Sequence, residues 1–231
     1  MITVETIRER HSVREYDGKP LSRAEFDALG AVVEEYARES GLDIQLVGDN
    51  PEVFNVIARF GLIRGCRTHV AFVVDDGKAR GVAADEAIGY WGQKIVFTAQ
   101  DMGLNTCWCA LCSRRKSRAV VVPGKKIRLV IAVGHGKTQG FSRKTKSVEA
   151  LSSVECAKAP AWFAAAMEAA QLAPTAMNNQ NFKITLLSDG KTVRIDAPKS
   201  GLNVIDEGIV RCNFEIAANE AGADWRWERD I

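Results

Sequence analysis

The chain has 231 residues, 31 Lys and Arg against 29 Asp and Glu, and a formal charge of +2. With 46% hydrophobic and 26% charged residues it has globular composition, which excludes wholesale disorder, coiled coil and fibre. No apolar run approaches the roughly 20 residues needed to span a bilayer, and the charged start MITVETIRER has no apolar signal core. A cytoplasmic protein with no membrane partner is expected, and the near-neutral charge argues against global attraction to nucleic acid. Six Cys at 66, 107, 109, 112, 156 and 212 read as reduced thiols, not a disulfide framework.

Taken in order, residues 1–10 predict a short helix, followed by Arg10-His11-Ser12-Val13-Arg14 and a turn at Asp17-Gly18. Ser22 and Glu25 form a capping box that opens a helix to about Glu39. Ile44–Val47 predicts a strand, Pro51 a helix through about Phe60, and Val70–Val74 an apolar strand closed by Asp75-Asp76-Gly77. Ile88, Trp91, Ile95, Ala99 and Met102 recur at helical spacing, so a long amphipathic helix is expected over 85–102, ended by Gly103. Strands follow at Asn105–Trp108 and Ile127–Val133.

From about Ser147 a shorter set of elements begins. Ala159–Leu172 is Ala-rich and helical, 174–181 is an irregular loop, and Phe182–Leu187 with Thr192–Ile195 make a hairpin around Ser188-Asp189-Gly190-Lys191. A second long helix is expected over Asn203–Ala221, with Ile205, Ile209, Cys212 and Ile216 on one face, then a short strand at Asp224–Trp227. The fold class is α+β, with two units over 1–146 and 147–231. Both follow the order helix, strand, long helix, Gly, short Trp-bearing strand, which suggests an internal duplication.

Several segments bear on chemistry. Extended backbone through Arg10–Arg14 would point Arg10, Ser12 and Arg14 to one side, and guanidinium groups suit phosphate recognition; a solvated basic turn is the plainer alternative. Cys109-Ala110-Leu111-Cys112 is a CxxC, but no second Cys/His pair stands near it in sequence, so no metal is assigned. A redox motif at this position competes with the simpler reading of small buried residues after the long helix. Residues 113–146 hold 11 Lys and Arg and no acid. Without an aromatic cluster for base stacking, a solvated face or a rim attracting phosphorylated ligands is the better reading than RNA binding. Neither GxGxxG after a strand nor GxxxxGK[ST] is present.

Four segments together resemble the FMN-dependent nitroreductase family. They are Arg10-His11-Ser12-Val13-Arg14-Glu15-Tyr16-Asp17, the helix ending Gly103-Leu104-Asn105-Thr106-Cys107-Trp108, the strand Ile131–Gly136 followed by Arg143-Lys144, and the loop Ala173-Pro174-Thr175-Ala176-Met177-Asn178-Asn179-Gln180-Asn181-Phe182. In ordinary members the last of these follows the N-terminal helices. Its place near residue 175 resembles a nitroreductase subfamily with a relocated, duplicated half, a single-chain pseudo-dimer. The resemblance implies FMN in a cleft between two α+β units. Arg10, His11, Ser12 and Arg14 would hold the phosphate, ribityl chain and pyrimidine edge, and Arg143 and Lys144 would complete the phosphate site. Pro174, Thr175, Ala176 and Asn178 would lie against the isoalloxazine, with Cys109 and Ala110 offering backbone near N5 and Arg64 a further contact. The activity implied is hydride transfer from NAD(P)H through flavin N5 to an electron-poor acceptor such as a nitroaromatic or quinone, by a ping-pong scheme. No catalytic side chain is assigned, because flavin N5 carries the chemistry. One flavin site would form within one chain, with no homodimer required. Two departures, Asn181 for the usual Pro and Cys109-Ala110 for a Gly-rich pair, leave an empty or repurposed cleft without reductase activity as the alternative; an RNA-associated protein is the third.

Overall fold

The computed structural model describes residues 2–54, 63–77 and 82–229. In chain order the elements are α1 (Val4–Glu9), α2 (Arg23–Ser40), β1 (Asp43–Val47), β2 (Thr68–Asp75), α3 (Val82–Asp101), β3 (Asn105–Cys109), β4 (Lys125–Gly134), α4 (Val148–Leu151), α5 (Ala161–Gln171), β5 (Lys183–Leu186), β6 (Thr192–Asp196), α6 (Asn203–Glu220) and β7 (Arg226–Trp227). Helix α2 starts where its capping box requires. The Ser22 side chain accepts from the Glu25 N–H, the Glu25 carboxylate accepts from the Ser22 N–H at 2.8 Å, and Gly41 ends the helix in the left-handed region. The helix expected from Pro51 is a single 3₁₀ turn over Pro51–Phe54, and its remainder, 55–60, lies outside the described residues.

The elements gather into two compact units that are discontinuous in sequence. One, the sheet unit, comprises Arg10–Arg80 and Ile95–Ser142; the other, the helical unit, comprises Met1–Glu9, Gly81–Lys94 and Arg143–Ile231. The boundary between them therefore falls within α3, and the chain re-enters the helical unit at Arg143.

The sheet unit is built on an antiparallel sheet of order β1-β2-β4-β3. Its central strand, β2, buries every residue from Thr68 to Val74, as expected for a strand covered on both faces. One face carries Val13, Tyr16, Ala71, Val73, Cys107, Cys109, Val130 and Ala132 in a single apolar cluster. His69 is fully buried, bonds Ser117 Oγ through Nε2 at 2.8 Å, and is pushed by burial down to a pKa of about 4, so it is neutral at pH 7.

The helical unit packs α6 against α5 and the N-terminal part of α3, with a three-stranded sheet, β5-β6-β7, in which β6 and β7 run parallel. Trp162, Phe163, Phe214, Trp225 and Trp227 form one aromatic cluster with ring centroids 5.1–6.3 Å apart. Helices α3 and α6 approach each other here at a pair of glycines. A Cβ on Gly89 would stand 2.0 Å from the Ile205 carbonyl oxygen, and one on Gly208 2.0 Å from that of Glu86. Only glycine permits this approach. Around the crossing, α3 and α6 exchange polar contacts: Tyr90 Oη donates to Glu215 at 2.6 Å, Gln93 Nε2 to Asn213 Oδ1 at 3.1 Å, and Arg211 Nη1 to Glu86 at 2.6 Å.

Candidate functional site

In the sheet unit, residues 12–17 act as an extra extended segment stitched to three neighbours. Ser12 bridges Thr106 at the start of β3, Glu15 bridges Arg64, and Tyr16 bridges Gly136. The bonds are Val13 N–H to Thr106 O at 3.0 Å, Arg64 N–H to Arg14 O and Tyr16 N–H to Arg64 O at 2.8 Å each, and Asp17 N–H to His135 O at 2.9 Å. Val13 and Tyr16 are buried in the core, while Ser12 and Arg14 are half-buried. Arg10, just before, is 8% exposed. The loop after β4 clamps the segment. A Cβ on Gly136 would meet Val13 at 2.8 Å, and one on Gly140 would meet His11 Cβ at 2.7 Å. His11 bonds the Arg10 carbonyl through Nδ1 at 3.0 Å and reaches Ser142 Oγ through Nε2 at 3.5 Å. Ser12 and Arg14 thus sit on a hydrogen-bonded extended segment with Arg10 and His11 immediately before it, residue types that suit a phosphate ester. Arg64 is exposed and pairs with Glu15 at 3.3 Å. Cys109 is buried at the end of β3, with Ala110 half-buried beside it.

The helical unit holds the remaining predicted residues. After α5, Ala173 is buried, and Pro174, Thr175, Ala176 and Asn178 are half-buried on a loop whose Met177, Asn178 and Gln180 all have positive φ, between 46° and 56°. Three non-glycine residues in the left-handed region within four positions need outside support. Two residues that sequence reasoning did not single out provide it. Asp206, in the first turn of α6, takes the Ala176 N–H on both carboxylate oxygens at 3.0 Å. Gln180, 2% exposed, takes the Lys146 N–H on Oε1 at 2.7 Å and gives Nε2 to the Gln171 carbonyl at 2.9 Å. The Gln180 N–H donates to Thr175 Oγ1 at 3.0 Å, closing the loop on itself. Asn178 directs its amide to the Lys144 carbonyl at 2.8 Å, so it secures the segment carrying Arg143 and Lys144, both exposed.

Burial pushes the Asp206 carboxyl up to about 7, against the opposing pull of the Ala176 N–H. A group whose native pKa exceeds its unfolded value binds more protons when folded, so its contribution to stability falls as pH rises from about 4 to about 7. Asp206→Asn keeps an oxygen for Ala176 and removes the titration. The stability difference between wild type and variant, read from denaturant melts, is expected to move in the variant's favour by about 1.4 kcal/mol for each step of one in pH across that window. A pH-independent difference would show that Asp206 does not titrate there.

Among the described residues no group of three or more His, Cys, Asp or Glu is placed to hold a metal, and no helix is long and apolar enough to cross a membrane.

Comparison with known proteins gives one family. A family model described as "Putative TM nitroreductase" matches residues 2–218. A crystal structure titled as a putative nitroreductase from Thermotoga maritima aligns with a TM-score of 0.69 at 19% identity, covering 100% of this chain and 90% of that one. One from Desulfovibrio desulfuricans, titled as a putative nitroreductase in complex with FMN, aligns at 0.51 and 18% identity over 66% of this chain and 95% of its own. Nitroreductase A from Vibrio parahaemolyticus aligns at 0.50 and 14% identity, covering 64% and 74%. No match is found among curated proteins. At these identities the structures establish a shared nitroreductase-like fold, and the family match over nearly the whole length establishes that this chain belongs to the TM1586-type nitroreductase family.

Proposed function

We propose that the protein is an FMN-dependent oxidoreductase of nitroreductase type. When bound, FMN would supply hydride transfer at N5, with NAD(P)H as donor and an electron-poor acceptor such as a nitroaromatic or quinone following in ping-pong order. The observation that carries the reading is the Arg10–Arg14 segment, where the motif resembling the family's N-terminal signature runs beside β3 with Ser12 bridged to Thr106, Val13 in the core and His11, Ser12 and Arg14 half-buried. In this reading Arg10 and Arg14 grip the phosphate and orient the pyrimidine edge. Arg143 and Lys144 add positive charge. His11 and Ser12 donate to the phosphate and ribityl oxygens. Thr175, Ala176 and Asn178, with Pro174, give the ring a rigid rest, and Cys109 and Ala110 present backbone toward N5. Cations beside a developing negative charge favour the reduced state of such a ring.

The reading also assigns a single flavin site to a single chain. The FMN-complexed relative uses 95% of its own length to match 66% of this one, so about a third of this chain is additional to that alignment. That surplus is consistent with residues 147–231 supplying what a partner subunit would otherwise bring, and 1–146 and 147–231 are proposed as the two halves of a pseudo-dimer. The segment Arg10–Arg14 has no counterpart in 147–231, so one phosphate site is expected. Purified protein should be yellow, monomeric by light scattering, and carry one FMN per chain. Protein that stays colourless after incubation with excess FMN would support the alternative, a fold without the cofactor. Two flavins per chain, or flavin lost on dissociation of a dimer, would refute the single-chain site.

A further inference from the structure

We propose that Cys109 and Cys112 form a redox-active dithiol that closes to a disulfide when a low-molecular-weight disulfide reaches Cys112. This rests on the sheet unit alone and is independent of any flavin. β3 ends at Cys109, and the chain bends through Ala110, Leu111 and Cys112 before the 3₁₀ turn Arg114–Lys116. The bend returns the Cys112 sulfur to 3.9 Å from the Cys109 carbonyl oxygen, while Cys109 Sγ donates to the Leu111 carbonyl at 3.3 Å. The bend is anchored at both sides. The Ser113 N–H donates to Val53 O at 2.8 Å, and Arg114 reaches across with Nη1 to Arg128 O at 2.9 Å and Nη2 to Ala110 O at 3.5 Å. Its tip is at the surface: Leu111 is 68% exposed and Cys112 is half-buried, whereas Cys109 is buried.

The two sulfurs are unequal. The adjacent Cys109 thiol and the Arg114 guanidinium hold the Cys112 thiol below its ordinary pKa, while burial acts the other way. The adjacent Cys112 and burial push the Cys109 thiol well above its ordinary pKa. A half-buried thiol that ionises more readily than the buried thiol beside it is the arrangement that thiol–disulfide exchange uses. Cys112 thiolate attacks one sulfur of a small disulfide RSSR, forming a Cys112–S–SR mixed disulfide and expelling RS⁻. Cys109 then loses its proton and attacks the Cys112 sulfur, expelling the second RS⁻. Two thiols are oxidised to one disulfide, and RSSR is reduced to two RSH once the protons are recovered. The neighbouring thiols are poor competitors. Cys107 is buried with Sγ directed to its own strand at the Trp108 carbonyl, and burial pushes Cys66 up to about 12.

The test uses the full chain in glutathione buffers from fully reduced to fully oxidised, quenched in acid, alkylated with iodoacetamide and digested with trypsin. The peptide covering 95–114 contains Cys107, Cys109 and Cys112. In oxidised buffer it is expected two hydrogens lighter, with the single alkyl group on Cys107, and dithiothreitol should restore all three alkylations. Cys109→Ser should trap one glutathionyl group on Cys112. Cys112→Ser should abolish closure and slow the first reaction at least about tenfold. Wild-type protein that keeps three alkylated cysteines in oxidised buffer, or pairs Cys107 in place of Cys109, would overturn the proposal whatever the variants do.

Discussion

Replacing Arg211 with Ala is expected to destabilise the protein by about 3–5 kcal/mol, the range for removing one partner of a buried ion pair. Arg211 is 1% exposed and Glu86, its partner at 2.6 Å, is fully buried. The guanidinium also donates to the Arg229 carbonyl and lies over the Trp227 ring, 4.6 Å from its centroid. Glu86 takes a second bond from Arg229 at 2.7 Å, and the equally buried Glu207 is paired with Arg229 and Lys199. Arg229 is half-exposed and shared between two carboxylates, so it cannot by itself compensate Glu86. At the usual 2–4 °C per kcal/mol for a chain of this size, the loss reads as roughly 6–20 °C in Tm. Arg211→Met combined with Glu86→Leu removes both charges and keeps the volume, and it should recover most of the loss, because a well-packed apolar pair is often as stable as a buried ionic one. If Arg211→Ala costs less than about 1 kcal/mol, the network is not what holds α3 to α6.

That network also marks where sequence stops being informative. The capping box at Ser22, the terminating Gly103 and the hairpin at Asp189-Gly190 are local devices, and they are readable because each is settled by neighbours within a few residues. β2 is readable as a buried strand because it is apolar at nearly every position. Helix α6 is legible as a helix, yet its surroundings are not. Its apolar stripe implies an opposite solvent face, whereas Asp206, Glu207, Arg211 and Asn213 on it are buried. Their partners include Glu86 and Gln93, 120 or more residues away, and the glycines that let α3 approach have no local signature. The same holds at the candidate site. The motif residues are visible through a family resemblance, but Asp206 and Gln180 act on backbone groups 30 and 34 residues distant. Met177 and Gln180 have no intrinsic liking for positive φ; tertiary contacts impose it.

Loss of FMN affinity is expected when Arg10 and Arg14 are replaced by Ala. Hydrogen bonds to charged groups contribute about 1.5–3 kcal/mol, so each replacement should weaken FMN roughly tenfold to a hundredfold. If the two act independently the double variant should lose about a hundredfold to ten-thousandfold. Arg14 gives the cleaner measurement, because it is half-buried on a segment whose backbone bonds to Arg64 and Thr106 do not involve its side chain. Arg10 is buried, so its variant is read alongside a thermal melt to separate lost binding from lost fold. Arg14→Lys retains the charge but not the planar fork, and should fall between wild type and Arg14→Ala. Weakening should also be salt-dependent: raising ionic strength screens the half-exposed Arg14 and narrows its gap from wild type. Flavin fluorescence titration measures all of these proteins. Unchanged affinity in a folded double variant would remove these arginines from the phosphate site, and with them the observation on which the flavin reading rests.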